Sequence, residues 1–197
     1  KQLESTLQAA GIRAMVTFRA KAPGRLKSKV ISRNARREIP YKNMKEIYDD
    51  IADLSGVRVA LYFPGDRDKT DGLLRDLFSI QETKQFPEQS KPPTYHKRFS
   101  GYWANHYRAN MREESLEPPQ KKYAKARIEI QVASVLMHAW SEVEHDLVYK
   151  PLQGALSEEE LDILDELNGL VLAGEIALER LQNAGNERIR SKKAEFG

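Results

Sequence analysis

The chain has 197 residues, 40% apolar and 31% charged, with a formal net charge of +3 and no cysteine; this gives one domain with its own core and excludes disulfides and thiolate metal sites. No apolar run reaches the roughly 18 residues of a membrane span, and no signal-peptide pattern opens the chain, so a cytoplasmic protein without a membrane partner is expected, and its start at Lys1 rather than Met suggests a fragment. Charge is uneven: residues 1–50 hold twelve Lys/Arg against five Asp/Glu and residues 141–180 hold two against eleven, so the basic half points to a polyanion such as nucleotide phosphates or RNA, unless the two surfaces pair with each other or are simply solvated.

In chain order, residues 1–10 read as the end of a helix broken by Gly11. Ile12 to Arg19 reads as a strand with Ala14, Val16 and Phe18 on one face. Pro23-Gly24 is a turn, and the basic run Arg25 to Arg37 is helical. Asn43 caps a short helix through Asp50. Gly56 to Phe63 reads as a strand with Val57, Val59 and Leu61 inward, followed by a turn at Pro64-Gly65-Asp66. Lys69 to Leu77 fits a helix burying Leu73, Leu74 and Leu77, and Ile80 to Phe86 a strand. Pro87 to Lys97 reads as a loop and a candidate ligand lid. Strands follow over Tyr102 to Met111 and Tyr123 to Val132, and a helix runs from Ser134 to about Tyr149. Elements of both kinds alternate, so an α+β fold is expected: a mixed sheet flanked by helices, over residues 1–152. Residues 153–197 form a helical extension opened by the capping signature Ser157 to Glu160. In it Leu164, Leu167, Val171, Gly174, Leu178 and Leu181 recur at alternating spacings of 3 and 4. That seam asks for a partner helix, internal or from a second copy of the chain.

The residues that carry chemistry fall in four places. Asp53 stands at the entry to the second strand, and Glu129 lies within a strand between apolar neighbours, where a carboxylate is costly unless compensated. If those strands are neighbours, the two carboxylates can hold one Mg²⁺ on a polyphosphate; otherwise Asp53 is a turn residue and Glu129 a surface one. Arg19, Lys21, Arg25, Lys27 and Lys29 form a basic stripe fit to neutralise phosphates, or a solvated face. In Arg98 to His106, Gly101 permits a close backbone turn. Tyr102 and His106, four apart, share a face if extended, and a base can stack on Tyr102. His145-Asp146 resembles a metal-phosphohydrolase dipeptide, but the remaining histidines give it no partner, so His145 is expected to orient Glu142 or Glu144 or to cap the pocket floor. No Gly-rich phosphate loop or dinucleotide fingerprint is present.

Asp53-Leu54-Ser55-Gly56-Val57-Arg58-Val59, Gly101-Tyr102-Trp103-Ala104-Asn105-His106, Glu129-Ile130-Gln131 and Met137-His138-Ala139-Trp140-Ser141-Glu142-Val143-Glu144-His145 occur in the order and spacing of RelA/SpoT-type alarmone synthetase domains. The chain resembles that family over roughly residues 10–150. The resemblance implies a nucleotidyltransferase-like sheet in a small stand-alone synthetase. It also implies Mg²⁺-dependent transfer of pyrophosphate from ATP to the 3′-hydroxyl of GDP or GTP, giving (p)ppGpp and AMP. Carried over residue by residue, Asp53 holds Mg²⁺, and Glu129 holds Mg²⁺ or takes the proton. Arg25 and Lys27 match the basic Arg-x-Lys motif for donor phosphates, with Arg19, Lys29 and Arg58 beside them. Tyr102 stacks on the acceptor base, with His106, Asn105, Gln131 and Arg98 around it. The chain departs from the family at Arg98 and Ser100 (often Lys and Asn), at Ala133-Ser134 (often Arg-Thr) and at Ile31 (a Ser). Adenine nucleotides or a tRNA 3′ end therefore stand as alternative acceptors, and a catalytically silent nucleotide-binding module as an alternative role.

Overall fold

The computed structural model describes residues 2–51, 53–87, 97–99, 101–149 and 154–196. Its elements are α1 (Gln2–Ala9), β1 (Ala14–Ala20), α2 (Pro23–Ala35), α3 (Met44–Asp50), β2 (Ser55–Leu61), α4 (Arg67–Leu77), β3 (Phe78–Phe86), β4 (Ala104–Met111), β5 (Arg127–Ser134), α5 (Val135–Glu144) and α6 (Glu158–Phe196). The strands form one sheet in the order β1-β2-β5-β4-β3. β2 and β5 run parallel, and the other neighbours are antiparallel. This is the mixed sheet flanked by helices that the alternation of elements predicts.

Local chemistry fixes the helix starts. Asn43 accepts from the Glu46 amide at 3.0 Å, Ser134 from Met137 at 3.0 Å and Ser157 from Glu160 at 3.2 Å. Each satisfies an amide that the first helical turn leaves unpaired. One face of the sheet is apolar. Val59, Leu61, Tyr107, Ala109, Ile130 and Val132 pack there against Leu3 and Leu7 of α1 and Leu74 of α4.

Register makes the other face polar. Arg19 lies opposite Gly56, Gly56 opposite Glu129, Glu129 opposite Arg108, and Arg108 opposite Glu82. Two residues along, Thr17, Arg58, Gln131, His106 and Lys84 form a second row across all five strands. Alternation along each strand puts both rows on one side. Gly56 interrupts the first row: it has no side chain between Arg19 and Glu129.

Several elements differ from the pattern in the sequence. Phe18, expected to share a face with Ala14 and Val16, is 78% exposed, because the apolar cover of β1 ends at Val16. Leu73 and Leu77 are only partly buried beside Leu74. The last strand starts at Arg127; Pro118 to Tyr123 forms a 3₁₀ segment instead, as its paired prolines allow. α5 ends at Glu144 and continues as a π-helical turn through Tyr149. Of the expected lid, residues 88–96 lie outside the described residues.

α6 is rotated from the expected seam. Leu167 and Leu181 are 44% and 61% exposed. The buried face carries Leu164, Asp165, Asn168 and Glu175. Hydropathy cannot find this face because each polar residue on it has a partner on another element, although the Oε2 of Glu175 has none among the described residues. Asp165 accepts from Arg98, Asn168 from Gly101 and Glu175 from Ser134. Gln182 further along donates to Asp66 at 2.8 Å. Buried polar groups with partners cost little.

Candidate functional site

β2 and β5 are parallel neighbours, which is the condition for Asp53 and Glu129 to meet. Both line one cavity of about 200 Å³ with Phe18, Arg19, Gly56, Arg58 and Gln131. A second, larger cavity of about 770 Å³ shares Arg19 and Asp53 and adds Lys21, Arg25, Ser28, Lys29 and His145. The two form one cleft, with carboxylates at one end and cations from β1 and α2 at the other.

Asp53 is clamped. Lys21 reaches its Oδ2 at 2.6 Å and Lys29 its Oδ1 at 2.8 Å. Burial pushes this carboxyl up, but the two ammonium groups outweigh it and hold it below its ordinary range. Glu129 is likewise held low: His106 beside it, at 3.7 Å, outweighs burial and the neighbouring Asp53. Both carboxylates are therefore ionised at neutral pH. They offer the hard oxygen donors that Mg²⁺ takes in ones and twos alongside phosphate oxygens and water. The donor set fits that ion. Among the described residues no three His, Asp or Glu side chains converge on a common point.

Tyr102 and His106 come together as their spacing predicts: hydroxyl to Nε2 is 3.4 Å and the rings are 5.8 Å apart. Phe86 stacks against His106 at 4.6 Å. Burial raises the Tyr102 phenol far above its ordinary value, so it stays neutral. Behind them His138 is held neutral by burial, and its Nε2 lies 3.2 Å from the Val59 carbonyl, to which it donates.

The remaining sequence candidates separate. Gln131 and Arg58 line the carboxylate cavity, where Arg58 pairs with Glu142 of α5. Arg25 and Lys29 face the larger cavity. Lys27 is exposed, about 200° round the helix from Arg25. Asn105 donates to the Tyr107 hydroxyl at 3.3 Å. Arg98 is turned to α6, its Nε 3.0 Å from Asp165. The Nδ1 of His145 lies 3.3 Å from Asp146, while Glu142 and Glu144 are engaged by Arg58 and Lys97. Ser100 lies outside the described residues.

Sequence reasoning missed the lysine clamp on Asp53. Lys21 precedes α2 and Lys29 lies within it, because Pro23-Gly24 opens that helix instead of forming the expected turn; a spacing of eight across a helix start carries no periodic signal. It also missed the Asp165 and Asn168 support of Arg98, Phe99 and Gly101, whose contacts span more than sixty positions. No local signal marks either residue, since both fall outside the apolar seam of the helix.

The molecule is thus an α+β protein: a mixed five-stranded sheet flanked by helices, with a cleft of carboxylates and cations on its polar face. The chain belongs to the RelA/SpoT family: the model of the region found in RelA / SpoT proteins matches residues 18–153. Solved structures share the fold. A GTP pyrophosphokinase family protein from Streptococcus pneumoniae superimposes with a TM-score of 0.70 at 22% identity, covering 95% of this chain and 85% of that one. The small alarmone synthetase 1 from Bacillus subtilis gives 0.69 at 22%, covering 94% and 89%. The same protein bound to its product pppGpp gives 0.64 at 19%, covering 94% and 87%. A comparison with curated proteins finds no match.

Proposed function

We propose that the protein is a pyrophosphokinase that transfers the β,γ-pyrophosphoryl group of ATP to the 3′-hydroxyl of GDP or GTP. The observation that carries this reading is the convergence of Asp53 and Glu129 on one cavity, with Arg19, Lys21, Arg25 and Lys29 on one side and the Tyr102–His106 pair on the same sheet face. Family membership supports it, and so does the name of the Bacillus subtilis relative that shares the fold.

The chemistry asks mainly for positioning and charge neutralisation. Cations of β1 and α2 hold the donor triphosphate. Tyr102 takes the acceptor base on its ring. Glu129, ionised at neutral pH, accepts the proton of the attacking hydroxyl. The new bond joins that oxygen to the β-phosphorus, and the bond from the β-phosphorus to the α,β-bridging oxygen breaks, releasing AMP. Asp53 and Glu129 are the residues that would hold Mg²⁺, which supplies charge neutralisation on the phosphates and acidifies the hydroxyl. The phosphates then take over Lys21 and Lys29 from Asp53.

The test is incubation of the pure protein with Mg²⁺, γ-labelled ATP and each of GDP, GTP, AMP, ADP and deacylated tRNA. Label on a guanine nucleotide with matching AMP is the expected result. Label on another acceptor keeps the transfer and changes its target. The clamp on Asp53 favours a second reading, a metal-free phosphate-binding module. Nucleotide binding in EDTA with no transfer to any acceptor would select it.

We also propose that a second copy of the chain covers the outer face of α6. Ile163, Leu167, Leu170 and Leu181 share that face at helical spacing and are 44–70% exposed. Sedimentation equilibrium at micromolar concentration tests this: a strict monomer ends the idea.

A further inference from the structure

His106 stands between Glu129 and Tyr102. Its Nδ1 lies 3.7 Å from the Oε1 of Glu129, and its Nε2 lies 3.4 Å from the Tyr102 hydroxyl. Both separations are longer than a good hydrogen bond, as contacts in an active site commonly are before substrate is bound. A third ring closes the group. Phe86, the last residue of β3, has its centroid 4.6 Å from that of His106 and 5.9 Å from that of Tyr102, with the planes tilted by 49° and 48°. These are separations that aromatic pairs prefer.

Strand register builds the arrangement. Phe86 lies opposite Ala104, and Lys84 lies opposite His106. Phe86 and His106 are therefore diagonal neighbours on one sheet face, within reach of each other for aromatic side chains. Directly across from Phe86 stands only the methyl group of Ala104, so the Phe86 ring has room to lean towards His106.

These neighbours commit the imidazole. A carboxylate can only accept, so the Nδ1 that faces Glu129 is the nitrogen that carries a proton. Burial keeps the Tyr102 phenol neutral, and its hydroxyl can donate to Nε2. With Phe86 packed against the ring, the His106 side chain is only 16% exposed. That leaves little of it for a phosphate group.

We propose that Phe86 and His106 are positioning residues for Glu129 and Tyr102, rather than ligands of the acceptor phosphates. Phe86 holds the imidazole in place. The imidazole holds Oε1 of Glu129 through Nδ1–H and the Tyr102 hydroxyl through Nε2. Fixing Oε1 also fixes the other oxygen of that carboxylate, which is left for the reacting hydroxyl. One side chain thus sets both the proton acceptor and the ring that takes the acceptor base. The kinetic consequence rests on the transfer reading; the arrangement of the rings does not.

Nitrogen NMR of the four histidines in alkaline buffer tests the arrangement in the parent protein without substrate, and the signal lost in His106→Gln identifies His106. The expected result is one tautomer, protonated at Nδ1. A ring protonated at Nε2 overturns the proposal, whether or not the protein transfers pyrophosphate. Phe86→Ala, shown to be folded by circular dichroism, should give a mixture of tautomers. In the transfer assay it should lower kcat by about ten- to a hundredfold, the cost of a slightly misplaced group, and leave the KM for ATP unchanged. Phe86→Tyr, which keeps the ring, should restore kcat. An unchanged His106 signal and kcat in folded Phe86→Ala overturn the role of Phe86, and so does a rise in ATP KM as large as the fall in kcat. A parent protein that transfers nothing fails the pyrophosphokinase reading instead, and the nitrogen signals of the parent and of Phe86→Ala then decide the proposal alone.

Discussion

Asn168 of α6 brackets the backbone of Gly101: its Oδ1 accepts from the Gly101 amide at 3.0 Å and its Nδ2 donates to the Gly101 carbonyl at 3.4 Å. Gly101 has φ +77°, a left-handed conformation that glycine adopts without penalty, and it immediately precedes Tyr102. One turn earlier on the helix, Asp165 receives the amides of Arg98 and Phe99 at 2.9 and 3.3 Å. The C-terminal helix therefore holds the backbone that aims the Tyr102 ring.

Asn168→Ala leaves a buried amide and carbonyl without partners, a cost of about 1–3 kcal/mol. Urea denaturation should show that loss. The proposed acceptor role adds a kinetic signature: the KM for the guanine nucleotide rises more than the KM for ATP. A variant that loses stability with both KM values unchanged would make Asn168 a purely structural residue.

Tyr102→Ala should raise acceptor KM by about 5- to 150-fold, the equivalent of one lost base–aromatic stack of ~1–3 kcal/mol. ATP KM should move little. Equal effects on the two substrates remove the stacking role.

Glu129→Gln preserves shape and removes the proton acceptor. Transfer should fall by about 10²–10⁴ while Tm changes little. A rate within a few-fold of the parent would take Glu129 out of the reaction.

Asp53→Asn separates metal from phosphate. Both lysines that clamp Asp53 are then freed for phosphate oxygens. ATP binding in EDTA should be kept or tightened, while Mg²⁺-dependent transfer drops by about a hundredfold or more. Weaker ATP binding in EDTA, measured by calorimetry, would show that Asp53 organises Lys21 and Lys29 rather than competing for them.

His138 links stability to pH. Burial lowers its folded pKa below the unfolded value of about 6.5, so the unfolded chain binds the extra proton first. Its contribution is intact above that value and is lost as pH falls through it towards the folded pKa. Tm should therefore decline between about pH 7 and pH 5, and His138→Gln should flatten that decline. An unchanged slope in a folded variant would assign the decline to other groups.

The sequence by itself determined the elements and much of the cleft. Alternation in β2 marked Val59 and Leu61 as core, and the caps at Asn43, Ser134 and Ser157 placed three helix starts. Both signals are local, set by side-chain period and by the unpaired amides of a first helical turn. The four-residue spacing of Tyr102 and His106 was legible for the same reason. Only the tertiary structure decided that β2 and β5 are parallel neighbours, which sets Gly56 opposite Glu129 and brings Asp53 to the same cavity. It alone gave Asp53 two lysine partners, turned Arg98 from the expected acceptor group to Asp165, and chose the polar stripe of α6 for burial. Each of these depends on a partner distant in the chain, and a hydropathy pattern records what a residue is, not what compensates it.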